Sequence, residues 1–239
     1  MKKKLSLIGI YDYTVILTLL SLAAAVIGMT RAMRDHFRWA LFLLALCGLF
    51  DTFDGKVART KKDRTDVEKL YGIQLDSLVD VVSFGIFPVM LCHLMGMRTA
   101  WDLVLLVVYA ICGVIRLAYF NVLETDRQMN PTGEEKAFHG LPITSISVIL
   151  PLTFLASFLI NRIDFIVILR VVMAVTAFLF VLNFKIRKPK NWHIIALILI
   201  VGLASVAILF FSRYKLPKDV EPEKPLVEVE EIQEMLDGD

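Results

Sequence analysis

Four aspartates, Asp51, Asp54, Asp76 and Asp80, stand at the edges of two apolar runs in the stretch LFDTFDGKVARTKKDRTDVEKLYGIQLDSLVDVVSFGIFPVM, residues 49 to 90. Asp51, Asp54, Gly55 and Ala58 fall at i, i+3, i+4 and i+7, so a helix carries them on one stripe. Gly72, Asp76 and Asp80 fall at i, i+4 and i+8 and make a second stripe. The charged segment 60–70 joins the two, and an antiparallel helix pair would bring the stripes face to face. An aspartate at the centre of a membrane helix costs about 2.5–3.5 kcal/mol on insertion scales, and four converging carboxylates also repel one another. Cations must offset that repulsion, and hard oxygen ligands suit Mg²⁺, Mn²⁺ or Ca²⁺. Two divalent ions would balance four carboxylates and leave open positions for phosphate oxygens. Gly55, Ala58 and Gly72 remove bulk beside the carboxylates and leave a slot for a ligand. The same small residues would also suit close helix packing in lipid.

The elements that must position these groups are membrane helices. The chain of 239 residues is 57% hydrophobic, with mean hydropathy +0.67, well above a soluble domain. Seven apolar runs are long enough to span, at roughly 12–30, 38–58, 72–96, 101–122, 142–161, 164–184 and 193–212. Unbroken runs of this length exclude barrel strands and predict an all-α polytopic bundle. Pro88, Pro142 and Pro151 lie in or at the start of spans, where neighbouring helices tolerate a kink. Placing the N-terminus inside puts the larger share of Lys and Arg on the cytoplasmic side, although Arg31, Arg34 and Arg38 run against that locally. The carboxylate stripes then lie at the cytoplasmic face. Residues 1–212 read as one membrane-embedded catalytic bundle. Residues 213–239 read as an acidic, disordered tail, with a short helix near 226–236. Cys47, Cys92 and Cys112 all lie in apolar runs and read as small buried hydrophobes. The net charge of +2 gives no reason to expect a nucleic-acid partner.

Asp51, Asp54, Gly55, Ala58, Arg59, Gly72, Asp76 and Asp80 together match the pattern Asp-x-x-Asp-Gly-x-x-Ala-Arg, a spacer, then Gly-x-x-x-Asp-x-x-x-Asp. This resembles the signature of the CDP-alcohol phosphatidyltransferases. The spacer departs from the family: twelve residues, TKKDRTDVEKLY, separate Arg59 from Gly72, a longer turn than is usual there. The resemblance implies that Asp51, Asp54, Asp76 and Asp80 hold two divalent cations, Mg²⁺ or Mn²⁺. It also implies that Gly55, Ala58, Arg59 and Gly72 shape the CDP-diacylglycerol site, that Asp80 is the candidate general base, and that the protein is a homodimer.

LDSLVDVVSFG (75–85), RLAYFNV (116–122) and FHGLPITS (138–145) are similar to the phosphatidylserine synthase branch, with Tyr119 in place of an Arg and Thr144-Ser145 in place of a Pro-x-Ala ending. Arg116 has no acidic residue within four positions and should face the bundle interior. It could clamp the carboxylate of L-serine, pair with a site aspartate, or snorkel to the interface. Asn121 and Ser83 are further candidates for the acceptor. The expectation is an integral membrane enzyme of the cell membrane, working at its cytoplasmic face, that makes phosphatidylserine and CMP. Transfer to glycerol phosphate, inositol phosphate or another alcohol is the alternative. A cation transporter is a third reading, which the confinement of the aspartates to one depth disfavours.

Overall fold

The computed structural model describes residues 8–129 and 138–186, together with 202, 203, 206 and 208–210. Asp12 caps a 3-10 turn, Tyr13–Val15, by accepting the Thr14 N–H at 2.8 Å, and α1, Ile16–Ala32, follows. A tight turn with Asp35 at φ 59° leads into α2, Phe37–Ala58. The next long element begins at α3, Asp66–Asp80, where Thr65 and Glu68 form a reciprocal capping box. It continues without a break through a π turn, Val81–Ile86, into α4, Phe87–Met95. Helix α5 runs from Ala100 to Met129, α6 from Ile146 to Ala156 after a 3-10 turn, Ile143–Ser145, and α7 from Arg162 to Val181. Two-residue strands, β1 Phe138–His139 and β2 Lys185–Ile186, pair antiparallel. Everything else regular among the described residues is helical, as the apolar runs predict.

The π turn has a cause in the sequence. Pro88 has no N–H to give to the Phe84 carbonyl one turn back, and its ring crowds that carbonyl. The helix widens there, with the Phe87 N–H reaching the Val82 carbonyl five residues back. The orphaned Phe84 carbonyl accepts the Tyr109 hydroxyl from α5 at 2.8 Å. Tyr109 is fully buried, so this bond closes what would otherwise be an unsatisfied polar group in the core.

Four helical segments are long and apolar enough to cross a membrane: Tyr13–Ala32, Asp66–Met95, Ala100–Asp126 and Arg162–Val181. Their outward faces carry exposed apolar residues such as Leu19, Val26, Val104, Val108, Ile115, Val171 and Phe178, which suits lipid and not water. Helix α2 falls short of that composition because Arg38, Asp51, Asp54 and Lys56 all lie on it. The site's own carboxylates therefore interrupt its apolar run. Helix α6 is only 11 residues long, shorter than the run at 142–161 suggests, because a 3-10 turn occupies its start and the chain turns out of the helix after Ala156. The run at 193–212 lies mostly outside the described residues, and the tail at 213–239 wholly so. The segment Asp66–Met95 is the most enclosed span, 56% buried against 28–39% for the other three. The helix bearing Asp76 and Asp80 is thus central.

Candidate active site

Helix α3 packs on α5 and α1 and not closely on α2. The two carboxylate stripes therefore face each other across a gap. The expected antiparallel hairpin is splayed, with open space between its arms. Carboxylate oxygens of Asp51, Asp76 and Asp80 lie within 4.8 Å of one another. Asp54 is not within that distance of all three, but its carboxyl is in hydrogen-bond contact with that of Asp76. It is buried, and the Thr18 hydroxyl of α1 donates to its Oδ2 at 3.3 Å. Sequence periodicity aligns Asp54 with Asp51 but carries no signal for Thr18 beyond its being a polar residue in an apolar run.

The donor set fits a divalent cation. Ligands on one octahedral Mg²⁺ at 2.0–2.1 Å lie about 3–4 Å apart, and Ca²⁺ spreads them further. Three carboxylate oxygens within 4.8 Å need only small side-chain adjustments to close on one ion. Three negative groups on facing helices with no positive side chain salt-bridged to them among the described pairs are an unstable arrangement without a cation.

A cavity of about 210 Å³ opens beside the cluster. Asp51, Asp76, Ser77 and Asp80 form one wall, Arg116, Phe120, Asn121 and Glu124 of α5 another, and Pro142–Thr144 a third. That volume suits a small acceptor or a headgroup and leaves no room for acyl chains. Arg116 is 7% exposed, donates its Nε–H to the Leu141 carbonyl at 3.1 Å, and lies over the Phe120 ring at 5.5 Å. It is neither snorkelled nor salt-bridged to a site aspartate among the described pairs. Gly140 makes the Leu141 contact available. Its φ is +74°, and a Cβ there would lie 3.0 Å from the Leu182 carbonyl. The turn docks onto the end of α7 through the Gly140 N–H to Phe184 at 2.8 Å and the Leu141 N–H to Leu179 at 3.2 Å. The Ser77 hydroxyl donates to the Asn121 side-chain oxygen and ties α3 to α5 at the cavity wall.

Ser83 does not reach the acceptor side. It is fully buried, does not line the cavity, and its hydroxyl has no partner among the described residues. The π turn is the physical reason. A wider turn advances less angle per residue, so the position three beyond Asp80 rotates away from the Asp80 face. Gly55 faces open space, with nothing within 4 Å of an added Cβ, while Ala58 is half-buried and Arg59 exposed. Gly72 is different: a Cβ there would meet the Arg64 Nη2 at 2.7 Å.

The model of the family described as CDP-alcohol phosphatidyltransferase matches residues 13–165, a range that holds the four aspartates and every residue lining the cavity. The chain belongs to this family. Among curated relatives, a CDP-diacylglycerol–serine O-phosphatidyltransferase of Saccharomyces cerevisiae is 37% identical over 123 residues, covering 51% of this chain and 41% of that one. One of the same name from Mycobacterium tuberculosis is 32% identical over 128 residues, covering 53% of this chain and 43% of that one. An archaetidylserine synthase of Methanothermobacter thermautotrophicus is 33% identical over 158 residues, covering 66% and 62%. The matches thus span about two-fifths of the yeast and mycobacterial proteins. No solved structure matches the chain. Of the signature residues, Asp51, Asp76 and Asp80 line the cavity, and Arg116, Leu117, Phe120, Asn121 and Pro142–Thr144 wall it from the other sides.

Proposed function

We propose that this protein transfers the phosphatidyl group of CDP-diacylglycerol to L-serine, releasing CMP. The observation that carries this reading is the juxtaposition of a three-aspartate cluster with a small cavity walled by Arg116. The names of the relatives in yeast and mycobacteria support serine as the acceptor.

Asp51, Asp76 and Asp80, together with Asp54 beside Asp76, would hold two divalent cations, Mg²⁺ or Mn²⁺. When bound, those ions supply Lewis acidity at the phosphorus and neutralise charge on the departing CMP. Asp80 takes the proton from the serine hydroxyl as the serine oxygen–phosphorus bond forms and the bond from phosphorus to the CMP oxygen breaks. Arg116 offers its guanidinium fork to the serine carboxylate, pre-oriented by the Leu141 carbonyl and the Phe120 ring. Asn121, held by Ser77, presents its amide at the same wall. Gly55 and Ala58 leave room for the nucleotide, with Arg59 at its rim. The acyl chains stay in the bilayer beside the splayed helices. The cytoplasmic face of the cell membrane is the proposed location of the site, residues 1–212 the catalytic bundle, and a homodimer the proposed assembly.

The test is CMP release from CDP-diacylglycerol by purified protein in detergent, with serine and with glycerol phosphate or inositol phosphate offered in competition. Serine-dependent release that EDTA abolishes and Mg²⁺ or Mn²⁺ restores is the expected result. Robust transfer to glycerol phosphate with none to serine would move the assignment to that acceptor. Undiminished activity in excess EDTA would remove the metal.

A further inference from the structure

The signature glycine of α3 raises a question of its own. Gly72 lies on the Asp76–Asp80 stripe, one helical turn, roughly 6 Å, before Asp76. The space a side chain would take there is not empty. Arg64, the residue before the Thr65 cap, folds back along α3 so that its Nη2 lies 2.7 Å from where a Gly72 Cβ would stand. That Nη2 donates to the Glu68 carbonyl at 3.1 Å. Its Nε–H is buried and has no partner among the described residues. A guanidinium with a buried unmet donor is costly unless an acceptor arrives.

The loop that delivers Arg64 is anchored. Lys61 is salt-bridged to Asp12 and to Glu68, both at 2.8 Å. The capping box fixes Thr65 beside it. Lys61 is thus committed to carboxylates on either side, while Arg64 is aimed along α3 towards the aspartate cluster. Arg64 belongs to the twelve-residue spacer and to no position of the family signature.

We propose that Arg64, whose guanidinium lies in the space beside Gly72, is a ligand for the phosphate of the bound cytidine nucleotide. The proposal rests on the reading of the aspartate gap as a CDP-diacylglycerol site. A phosphate held at the Asp76 end of the gap lies within one turn of a fork that matches its oxygens. Arg64 then supplies an unmet donor to the nucleotide and takes no part in holding the acceptor, because it does not line the cavity that Arg116 walls.

The experiment is equilibrium binding of CMP to the purified full chain in detergent with Mn²⁺. Arg64→Ala and Arg64→Gln are expected to weaken CMP binding tenfold or more, as befits loss of a charge-assisted bond. Arg64→Lys should fall between them and the wild type. The serine KM should stay within about twofold of wild type in Arg64→Lys. Glutamine keeps a donor for the Glu68 carbonyl, so it reports on the ligand even if the alanine variant misfolds. Unchanged CMP affinity in the folded Arg64→Gln protein would overturn the proposal. A wild-type protein that binds Mn²⁺ but no CMP would overturn both this proposal and the reading of the gap as a nucleotide site. Wild-type binding that Arg64→Gln leaves intact would overturn the proposal alone.

Discussion

Gly55 and Arg116 give the sharpest residue-level tests. An added Cβ at Gly55 meets nothing within 4 Å, and alanine favours a helix over glycine by about 0.5–1 kcal/mol. Gly55→Ala should therefore leave the melting temperature in detergent unchanged or raised. If the open space is the nucleotide slot, the KM for CDP-diacylglycerol should nonetheless rise severalfold, and a larger side chain in Gly55→Val should raise it further. An unchanged KM in both variants would assign Gly55 to helix approach alone. Arg116→Lys keeps a charge but loses the planar fork that reaches the Leu141 carbonyl and the Phe120 ring. Loss of a charge-assisted bond costs on the order of 1.5–3 kcal/mol, so the serine KM should rise roughly tenfold or more while that of CDP-diacylglycerol moves little. Serine methyl ester lacks the carboxylate. It should be a poor acceptor for the wild type and should lose less than serine does in the variant. Equal proportional losses would place Arg116 on the nucleotide or the fold.

At the scale of elements, the central helix depends on a bargain between Pro88, Phe84 and Tyr109. Tyr109→Phe removes the side-chain donor to the Phe84 carbonyl and should cost about 1–3 kcal/mol, as expected for a buried acceptor that loses its partner. Pro88→Ala restores an N–H to that carbonyl. The double variant should recover much of the loss, and thermal unfolding of the four proteins of this cycle measures the coupling. Additive losses would show that the π turn persists without Pro88. The loop between α2 and α3 carries a pH test. The Asp12 carboxyl is held down to about 2, chiefly by its hydrogen bond with Lys61 and then by Thr14. A depressed carboxyl contributes stability that is complete above its unfolded value of 3.8 and fades as pH falls through about 2. Carboxyl-carbon NMR should place its midpoint near 2 in the wild type and closer to the ordinary carboxylate range in Lys61→Met. A wild-type midpoint near 3.8 would mean that the Lys61 contact is not maintained in solution.

Across the whole molecule, α5 and α7 are joined by an ion pair that the sequence places far apart. Asp102, 2% exposed, accepts Arg170 Nε at 2.6 Å and Nη2 at 3.0 Å. This bidentate pair settles where the charge of Arg170 goes in an apolar helix. Breaking a fully buried pair costs about 3–5 kcal/mol, and the 40% exposure of the Arg170 side chain reduces that. Arg170→Met should therefore destabilise by about 2 kcal/mol, with Asp102→Leu/Arg170→Met recovering most of it. No recovery in the double variant would mean that the pair specifies how α5 and α7 meet and does more than cancel its own burial.

The sequence alone determined the helical membrane architecture, the two carboxylate stripes, the signature that places the chain in its family, and the inward position of Arg116. Each follows from periodicity or composition within one segment, or from motif spacing. The tertiary structure decided everything that depends on contacts between distant segments. It splayed α3 from α2, set Asp54 against Thr18, and brought Pro142–Thr144 to the cavity wall. It also turned Ser83 inward. Pro88 is visible in the sequence, but the widened turn depends on Tyr109, 25 residues on, to close the Phe84 carbonyl. Arg64 reads in the sequence as one more loop cation among Lys61, Lys62 and Lys69. Only the anchoring of Lys61 to Asp12 and Glu68, and the absence of a Cβ at Gly72, give its guanidinium a place at the head of the aspartate stripe. A stripe on a helix fixes which residues share a face. What that face meets is set by the packing of the other helices.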